Sequence, residues 1–127
     1  MRRILHLAKR SDWEAARLDG TYRWSTRDAT VADTGFVHAS TSAQLPRVAA
    51  MAYADLPSAD LVVLVVDLDT LTSQGIEVRW ESLDGAAEPF PHVYAPLPTS
   101  AVIAVLDVDD DGAGGHAMPD VTGFAVA

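Results

Sequence analysis

The sequence predicts a single α+β domain with a core of about five to six strands and two main helices. Its length supports one domain, because 127 residues are enough for one hydrophobic core and too few for two. A continuous β-branched run at Leu61–Val66 is typical of a strand buried on both faces. A helix that ends before Pro57 is predicted from apolar residues spaced by three and four positions. These residues are Leu45, Val48, Ala49, Ala52 and Leu56.

The N-terminal segment predicts a strand followed by a helix. Residues 3–8 alternate as a strand that carries His6. Ser11 is a good N-cap, so we expect a helix over residues 12–19, which Gly20 ends. Residues 21–34 have no clean period: the alternation of Tyr22 and Trp24 allows a short strand, and a polar loop follows. Residues 82–89 predict a second polar loop. The first is long for a compact domain, and long loops are often functional or mobile.

The stretch Thr34–Thr41 predicts a short strand that runs directly into the start of a helix. Ser40 and Thr41 place hydroxyl groups where a helix N-cap is expected, with the helix beginning near residues 42–45. His38 would then lie close to a helix N-terminus, a natural place to hold an anionic ligand. The alternative is that His38 is a hydrogen-bonded core histidine and the hydroxyl groups only cap the helix.

The second half of the chain predicts further extended segments. Three strands are expected, over residues 61–68, 76–81 and 100–108. Arg79 lies between Glu77 and Glu81 on one face of its strand, which by itself indicates a surface ion-pair ladder.

Residues 90–98 form an unusual segment with three prolines. Proline lacks a backbone N–H, so the pattern excludes a helix interior and a central strand. We expect a rigid extended segment that presents an aromatic residue, His92 and Tyr94, and its role in a site or in packing stays open.

The charge distribution narrows the possible partners. The net charge is −9, yet residues 1–47 carry a balance of +3 and residues 48–127 a balance of −12. General nucleic-acid binding needs a basic surface and is therefore not expected. A local pocket in the N-terminal half could still bind a small phosphorylated, nucleotide-like ligand.

Several other classes of protein are excluded by composition. The chain has no cysteine, which rules out disulfides, thiolate catalysis and cysteine-based metal sites. Its longest apolar run is too short to span a membrane, and no signal peptide is visible, so we expect a cytoplasmic protein.

The C-terminal segment differs in composition from the rest. Residues 1–108 are predicted to form the domain, and residues 109–127 an acidic, glycine-containing flexible tail. The apolar residues 124–126 leave docking of that tail on the domain open, and no role is expected for His116.

Sequence motifs give little direct information on chemistry. No dinucleotide-binding glycine motif, phosphate-binding loop or hydrolase elbow is present. Three histidines, His6, His38 and His92, lie in or beside extended segments. A zinc site assembled from these three is possible, although their spacing does not support it.

Two elements taken together resemble a small bacterial family, domain of unknown function 952. They are Gly-Phe-Val-His-Ala-Ser at residues 35–40, followed by Gln44, and Phe-Pro-His-Val-Tyr at residues 90–94. With His6, Trp13 and Glu81, the resemblance covers roughly residues 3–108. Members of this family often have cysteine and glycine where this chain has Ala39 and Ala95.

The resemblance implies an ADP-ribosyltransferase-like fold, a split β core that binds NAD in a cleft between two sheets. His6 would hold the dinucleotide, and His38 and Ser40 would flank the nicotinamide pocket together with Thr41. Glu81 would bind a ribose hydroxyl and stabilise an oxocarbenium-like transition state. The residues expected to position phosphates or an acceptor are Arg79, His92 and Tyr94.

Three hypotheses follow. The first is an ADP-ribosyltransferase-like enzyme or NAD-handling protein, with His38, Glu81 and His92 as the catalytic group, NAD as cofactor and no metal. The second is a module that binds a nucleotide or phosphorylated metabolite without turnover. The third is a metal-dependent enzyme that uses the three histidines.

Overall fold

The structure, a computed structural model, describes residues 2–82 and 88–127. Twelve strands and four α-helices lie within these residues, together with three short 3₁₀ turns. The strands are β1 Arg3–Lys9, β2 Thr21–Tyr22, β3 Trp24–Thr26, β4 Ala29–Thr30, β5 Val37–His38, β6 Leu61–Asp67, β7 Val78–Glu81, β8 Phe90–Val93, β9 Leu97–Pro98, β10 Val102–Asp107, β11 Asp109–Asp110 and β12 His116–Ala117. The helices are α1 Arg10–Asp19, α2 Val31–Thr34, α3 Leu45–Ala52 and α4 Leu68–Ser73.

The central sheet has the order β1-β6-β10, with both pairs antiparallel. Six of the seven residues of β6 are buried, as its unbroken apolar run predicts. Because side chains alternate across a strand, β6 supplies two apolar layers, one from Val62, Leu64 and Val66 and the other from Leu61, Val63 and Val65.

A second sheet has the order β5-β8-β7, again antiparallel. Val37 and Val93 point from it into the first apolar layer, beside α1 and the even-numbered residues of β6. The chain then passes from this sheet to the central one, because Ser40 exchanges two backbone hydrogen bonds with Leu5, at 2.7 and 2.9 Å. Residues 37–40 therefore join the two sheets.

The second apolar layer lies on the opposite face of the central sheet, under α3. Leu45, Ala49 and Tyr53 cover it from this side. The helix ends at Ala52 and not at the predicted position near Leu56, since Leu56 follows in a turn and packs only partly against the layer.

The segment after β10 folds back on the domain, whereas the sequence predicts a flexible tail. Strands β11 and β12 form a small hairpin, and Val126 bridges to Arg3 at the edge of β1. The physical reason is that Phe124 and Val126 pack against the second apolar layer. His116 also has a structural role, because its ring bonds to Ser58 and to the backbone carbonyl of Tyr53.

The proline-rich segment contains the middle strand of the second sheet, which corrects the prediction that its prolines exclude a central strand. The hydrogen bonds to the neighbouring strand β5 explain why a proline is tolerated in this middle strand. Ala39 donates its N–H to the carbonyl of Pro91 at 3.0 Å, and Pro91 has no N–H to return. Strand β5 ends at His38, one residue before Ala39. The N–H that Pro91 lacks would therefore be needed only where the backbone pairing between β5 and β8 ends.

Two predicted loops have different outcomes. Residues 21–34 form three short strands and the helical turn α2, whose capping box joins Thr30 and Asp33. Most of the loop predicted over 82–89 lies outside the described residues.

Within the described part of the chain, no helix is long and apolar enough to cross a membrane. The predicted single α+β domain is confirmed.

Candidate functional site

The candidate site is the face of the second sheet that points away from the first apolar layer. The strand register places His38 directly opposite His92, and His92 directly opposite Arg79. Side chains two residues away along each strand share this face. We call it the histidine face, and it comprises Phe36, His38, Glu77, Arg79, Glu81, Phe90, His92 and Tyr94.

The centre of the histidine face is a hydrogen-bonded group around Glu81. Its Oε1 atom accepts a bond from Nδ1 of His92 at 2.8 Å and another from the hydroxyl of Tyr94. These two bonds, that of Tyr94 first, hold the pKa of Glu81 below its usual value, and the same contact raises the pKa of Tyr94. Glu81 is therefore an ionised, oriented carboxylate at neutral pH.

Only one carboxylate oxygen of Glu81 is used in this way. Within residues 2–82 and 88–127, no hydrogen bond reaches its Oε2 atom. The side chain is 36 % exposed, so this oxygen is able to accept a hydrogen bond from a bound molecule.

His92 is buried, with 1 % of its surface exposed. Phe36 lies flat against its ring, with the centroids 4.0 Å apart and the planes inclined by 16°. Because a carboxylate only accepts, the proton of the neutral ring is on Nδ1, which leaves a lone pair on Nε2. Nε2 is buried and has no hydrogen-bond partner among the described residues.

His38 adjoins this group and is half-buried. Its ring centroid lies 5.3 Å from that of His92 and 4.9 Å from that of Phe90. Burial, and secondarily the neighbouring His92, lowers the pKa of His38. The neutral ring is thus favoured at physiological pH.

His6 lies beneath the histidine face and not on it. Its Nδ1 donates to the backbone carbonyl of His38 at 2.8 Å, and its Nε2 accepts from the hydroxyl of Tyr22 at 3.0 Å. Burial lowers the pKa of His6 to about 4. Both ring nitrogens are thus engaged by the protein, so His6 holds the backbone of His38 in place.

The two hydroxyl residues after β5 also contact protein groups. Thr41 and Gln44 form reciprocal bonds, as in a capping box, with N···O distances of 3.0 and 3.2 Å. Gln44 also donates to the carbonyl of Pro89 at 2.8 Å, next to the start of β8. Ser40 is buried and pairs through its backbone with β1. Thr41 therefore caps the turn into α3, as one of the two interpretations predicts.

Arg79 lies at the exposed edge of the histidine face. Its guanidinium bonds to Glu77 at 2.8 Å, and its Cζ atom lies 4.4 Å from the centroid of the Tyr94 ring. This is the surface ion pair expected from the sequence, with an added cation–π contact. Arg79 also presents positive charge next to Glu81.

Sequence reasoning placed Phe36 in a strand but did not identify it as a site residue. The signal was present, because Phe36 precedes His38 by two positions, as Phe90 precedes His92. Equal spacing on paired strands brings aromatic and imidazole rings together on one face.

The three-histidine metal hypothesis is not supported by this geometry, since both ring nitrogens of His6 are engaged elsewhere. Among the described residues, no group of three or more histidine, aspartate or glutamate side chains is arranged to hold a metal ion.

Comparison with known proteins identifies the family. Residues 7–105 match the family described as "Protein of unknown function (DUF952)". No curated protein matches the chain.

Solved structures of protein CC0527 from Caulobacter crescentus are similar over nearly the whole chain. Its crystal structure is 30 % identical, covers 91 % of this chain and 93 % of its own, and has a TM-score of 0.75. The crystal structure of a double mutant of CC0527 has the same identity and coverage, with a TM-score of 0.74. The solution NMR structure of CC0527, also 30 % identical, covers 91 % of each chain with a TM-score of 0.70. This chain therefore belongs to the DUF952 family.

Proposed function

We propose that this protein binds NAD or a related ribonucleotide on the histidine face and acts as an ADP-ribosyltransferase-like enzyme. The observation that carries the proposal is the state of Glu81. One of its carboxylate oxygens is fixed by His92 and Tyr94, and the other has no partner among the described residues.

Such a carboxylate suits the chemistry of a ribosyl group. Its second oxygen can accept a hydrogen bond from a ribose hydroxyl. Its negative charge, held in place by two donors, stabilises the positive charge that develops on the ribose ring when the bond to nicotinamide breaks. No reorientation of the carboxylate is needed during the reaction, because both donors already hold it.

The surrounding side chains fit a ligand with flat rings. Phe36, Phe90 and Tyr94 line the face, and aromatic rings stack on nucleobases with a gain of about 1–3 kcal/mol per base. Arg79 supplies a guanidinium for a phosphate oxygen. In this proposal Thr41 acts by shaping the strand end, and His6 by holding the backbone of His38.

The test is incubation with NAD, measuring the melting temperature and the release of nicotinamide. Glu81→Gln removes the charge and keeps the shape of the side chain. We expect it to lower nicotinamide release about a hundredfold, the loss seen when one transition-state contact is removed. Glu14→Gln is the control, because it makes the same charge change on the exposed side of α1, outside the histidine face.

The outcomes separate the two functional classes. If NAD raises the melting temperature and no nicotinamide is released, the protein is a binding module and the enzyme proposal fails. If NAD produces neither effect, both fail. Equal activity of the Glu81→Gln and Glu14→Gln variants would remove Glu81 from the proposed mechanism.

A further inference from the structure

His92 has a buried ring nitrogen, Nε2, without a hydrogen-bond partner among the described residues. Within residues 2–82 and 88–127, only two buried side-chain polar atoms lack a hydrogen bond, Nε2 of His92 and Nε of Arg27. A buried polar atom without a partner is unfavourable and is rare in folded proteins. The guanidinium of Arg27 is already paired with Asp55 through its other two nitrogens. The only other ring nitrogen of His92, Nδ1, is bonded to Glu81.

The chemical state of this nitrogen follows from the other side of the ring. Glu81 accepts a bond from Nδ1 at 2.8 Å, so the neutral ring carries its proton there and Nε2 keeps its lone pair. A carboxylate that orients an imidazole in this way also stabilises the imidazolium formed when Nε2 takes a proton. The pair therefore has the arrangement of an oriented general base.

Phe36 covers one face of this imidazole. Its ring is stacked on that of His92, with the centroids 4.0 Å apart, and Phe36 is itself only half-buried. The residue before it, Gly35, has a φ of 97° and ends α2, so the chain turns sharply just before the ring. Rotation of the Phe36 side chain would uncover this face of the imidazole.

We propose that His92 is the proton acceptor of this site, that its Nε2 takes the proton of a hydroxyl group, and that Phe36 covers one face of its ring. This inference rests on the proposed function, in which the hydroxyl belongs to the acceptor of the ribosyl group. The O–H bond of the acceptor breaks and its proton moves to Nε2. The oxygen forms a bond to C1′ of the ribose as the C1′–N bond breaks, and nicotinamide leaves with the bonding electron pair.

The inference can be tested without any nucleotide. Nitrogen-detected NMR of the histidine rings should show His92 with its proton on Nδ1. Diethyl pyrocarbonate acylates imidazole nitrogens that have a lone pair, and mass spectrometry locates the modified residue. We expect His92 to react slowly in the wild type and roughly tenfold faster in Phe36→Ala, since the ring face that Phe36 covers is then open and less local opening is required.

Two internal controls accompany this measurement. The half-buried His38 should react at a similar rate in both proteins. His6, whose two ring nitrogens are both hydrogen-bonded, should react slowly in both. Phe36→Leu, which keeps an apolar side chain, gives a second variant if Phe36→Ala does not fold. A proton on Nε2, or an unchanged rate at His92 in a folded Phe36 variant, would overturn the inference.

Turnover separates this inference from the proposed function. His92→Asn keeps an amide donor near the position of Nδ1 for Glu81 and removes Nε2. We expect it to bind NAD as the wild type does and to release nicotinamide about a hundredfold more slowly. Full activity in His92→Asn would overturn the inference and leave the proposed function standing. Absence of turnover in the wild type would contradict the proposed enzymatic function. The rate at which diethyl pyrocarbonate acylates His92 would still decide whether Nε2 is an accessible base.

Discussion

The two main sheets of this protein differ in what their faces hold. Strand β6, in the middle of the central sheet, is apolar on both faces and is covered on both. Strand β8, in the middle of the second sheet, is apolar on one face only, and its other face carries Phe90 and His92. The central sheet is thus buried on both faces, and the second sheet is buried on one face and carries polar and ionisable side chains on the other.

The same difference separates two buried histidines. His6, on the central sheet, has both ring nitrogens bonded to protein groups. His92, on the second sheet, has one nitrogen bonded to Glu81 and the other without a partner among the described residues. Burial alone therefore does not distinguish these two histidines, whereas the number of hydrogen-bond partners of each ring nitrogen does.

The largest expected effect tests the role of the central sheet. Leu64 is fully buried in the middle of β6, and Leu64→Ala should lower the free energy of unfolding by about 2–5 kcal/mol through lost burial and a cavity. Ile103→Ala is the control, because Ile103 is 44 % exposed on β10 of the same sheet and should change stability by about 0.5 kcal/mol or less. Urea unfolding measures both. Equal losses would contradict the assignment of stability to the buried face.

The next effect concerns the pH dependence that His6 creates. The pKa of His6 is lowered from 6.5 to about 4 in the folded protein. Between these pH values the unfolded chain binds the proton and the folded chain does not, so the free energy of unfolding falls as the pH falls. Through His6, the free energy of unfolding falls by about 3 kcal/mol near pH 4. The pKa of His38 is also lowered, so His38 decreases the free energy of unfolding in the same direction.

Urea unfolding between pH 7 and pH 4 measures this slope, and His6→Gln should reduce it. NMR titration of the His6 ring gives an independent value. A titration midpoint near 6.5 would show that His6 is not held neutral by the fold.

Local patterns predicted the parts of the fold that depend on neighbours in sequence. The apolar run of β6 and Gly20 after α1 predicted where these elements lie and where α1 ends. The predicted N-cap at Ser11 was wrong, because α1 already begins at Arg10 and no side chain caps its N-terminus. Pairing between distant segments was not predictable in this way. The prolines of residues 90–98 argued against a central strand, and only the observed register explains why Pro91 is tolerated there.

The candidate site was likewise predictable in its residues but not in the contacts between them. Residue types and family resemblance selected His38, Glu81, His92 and Tyr94, and the register brings them together. The partners of His6 were not predictable, because Tyr22 and the backbone of His38 approach its ring only in the folded chain. Flexibility of residues 109–127 was inferred from composition, which does not report that their few apolar side chains cover one face of the central sheet.

The smallest effect tests whether the second sheet depends on the turn before Phe36. Gly35 adopts a φ of 97° and donates its N–H to the carbonyl of Val31 at 2.7 Å. A side chain disfavours this left-handed conformation, so Gly35→Ala should lower the free energy of unfolding by about 1 kcal/mol. Gly123→Ala is the matched control, because a Cβ atom there meets open space and Gly123 has no positive φ. If Gly35→Ala also speeds acylation of His92 and Gly123→Ala does not, the turn holds Phe36 over the ring. Equal rates would show that stacking on the imidazole alone positions Phe36, and that the cover acts independently of the turn before it.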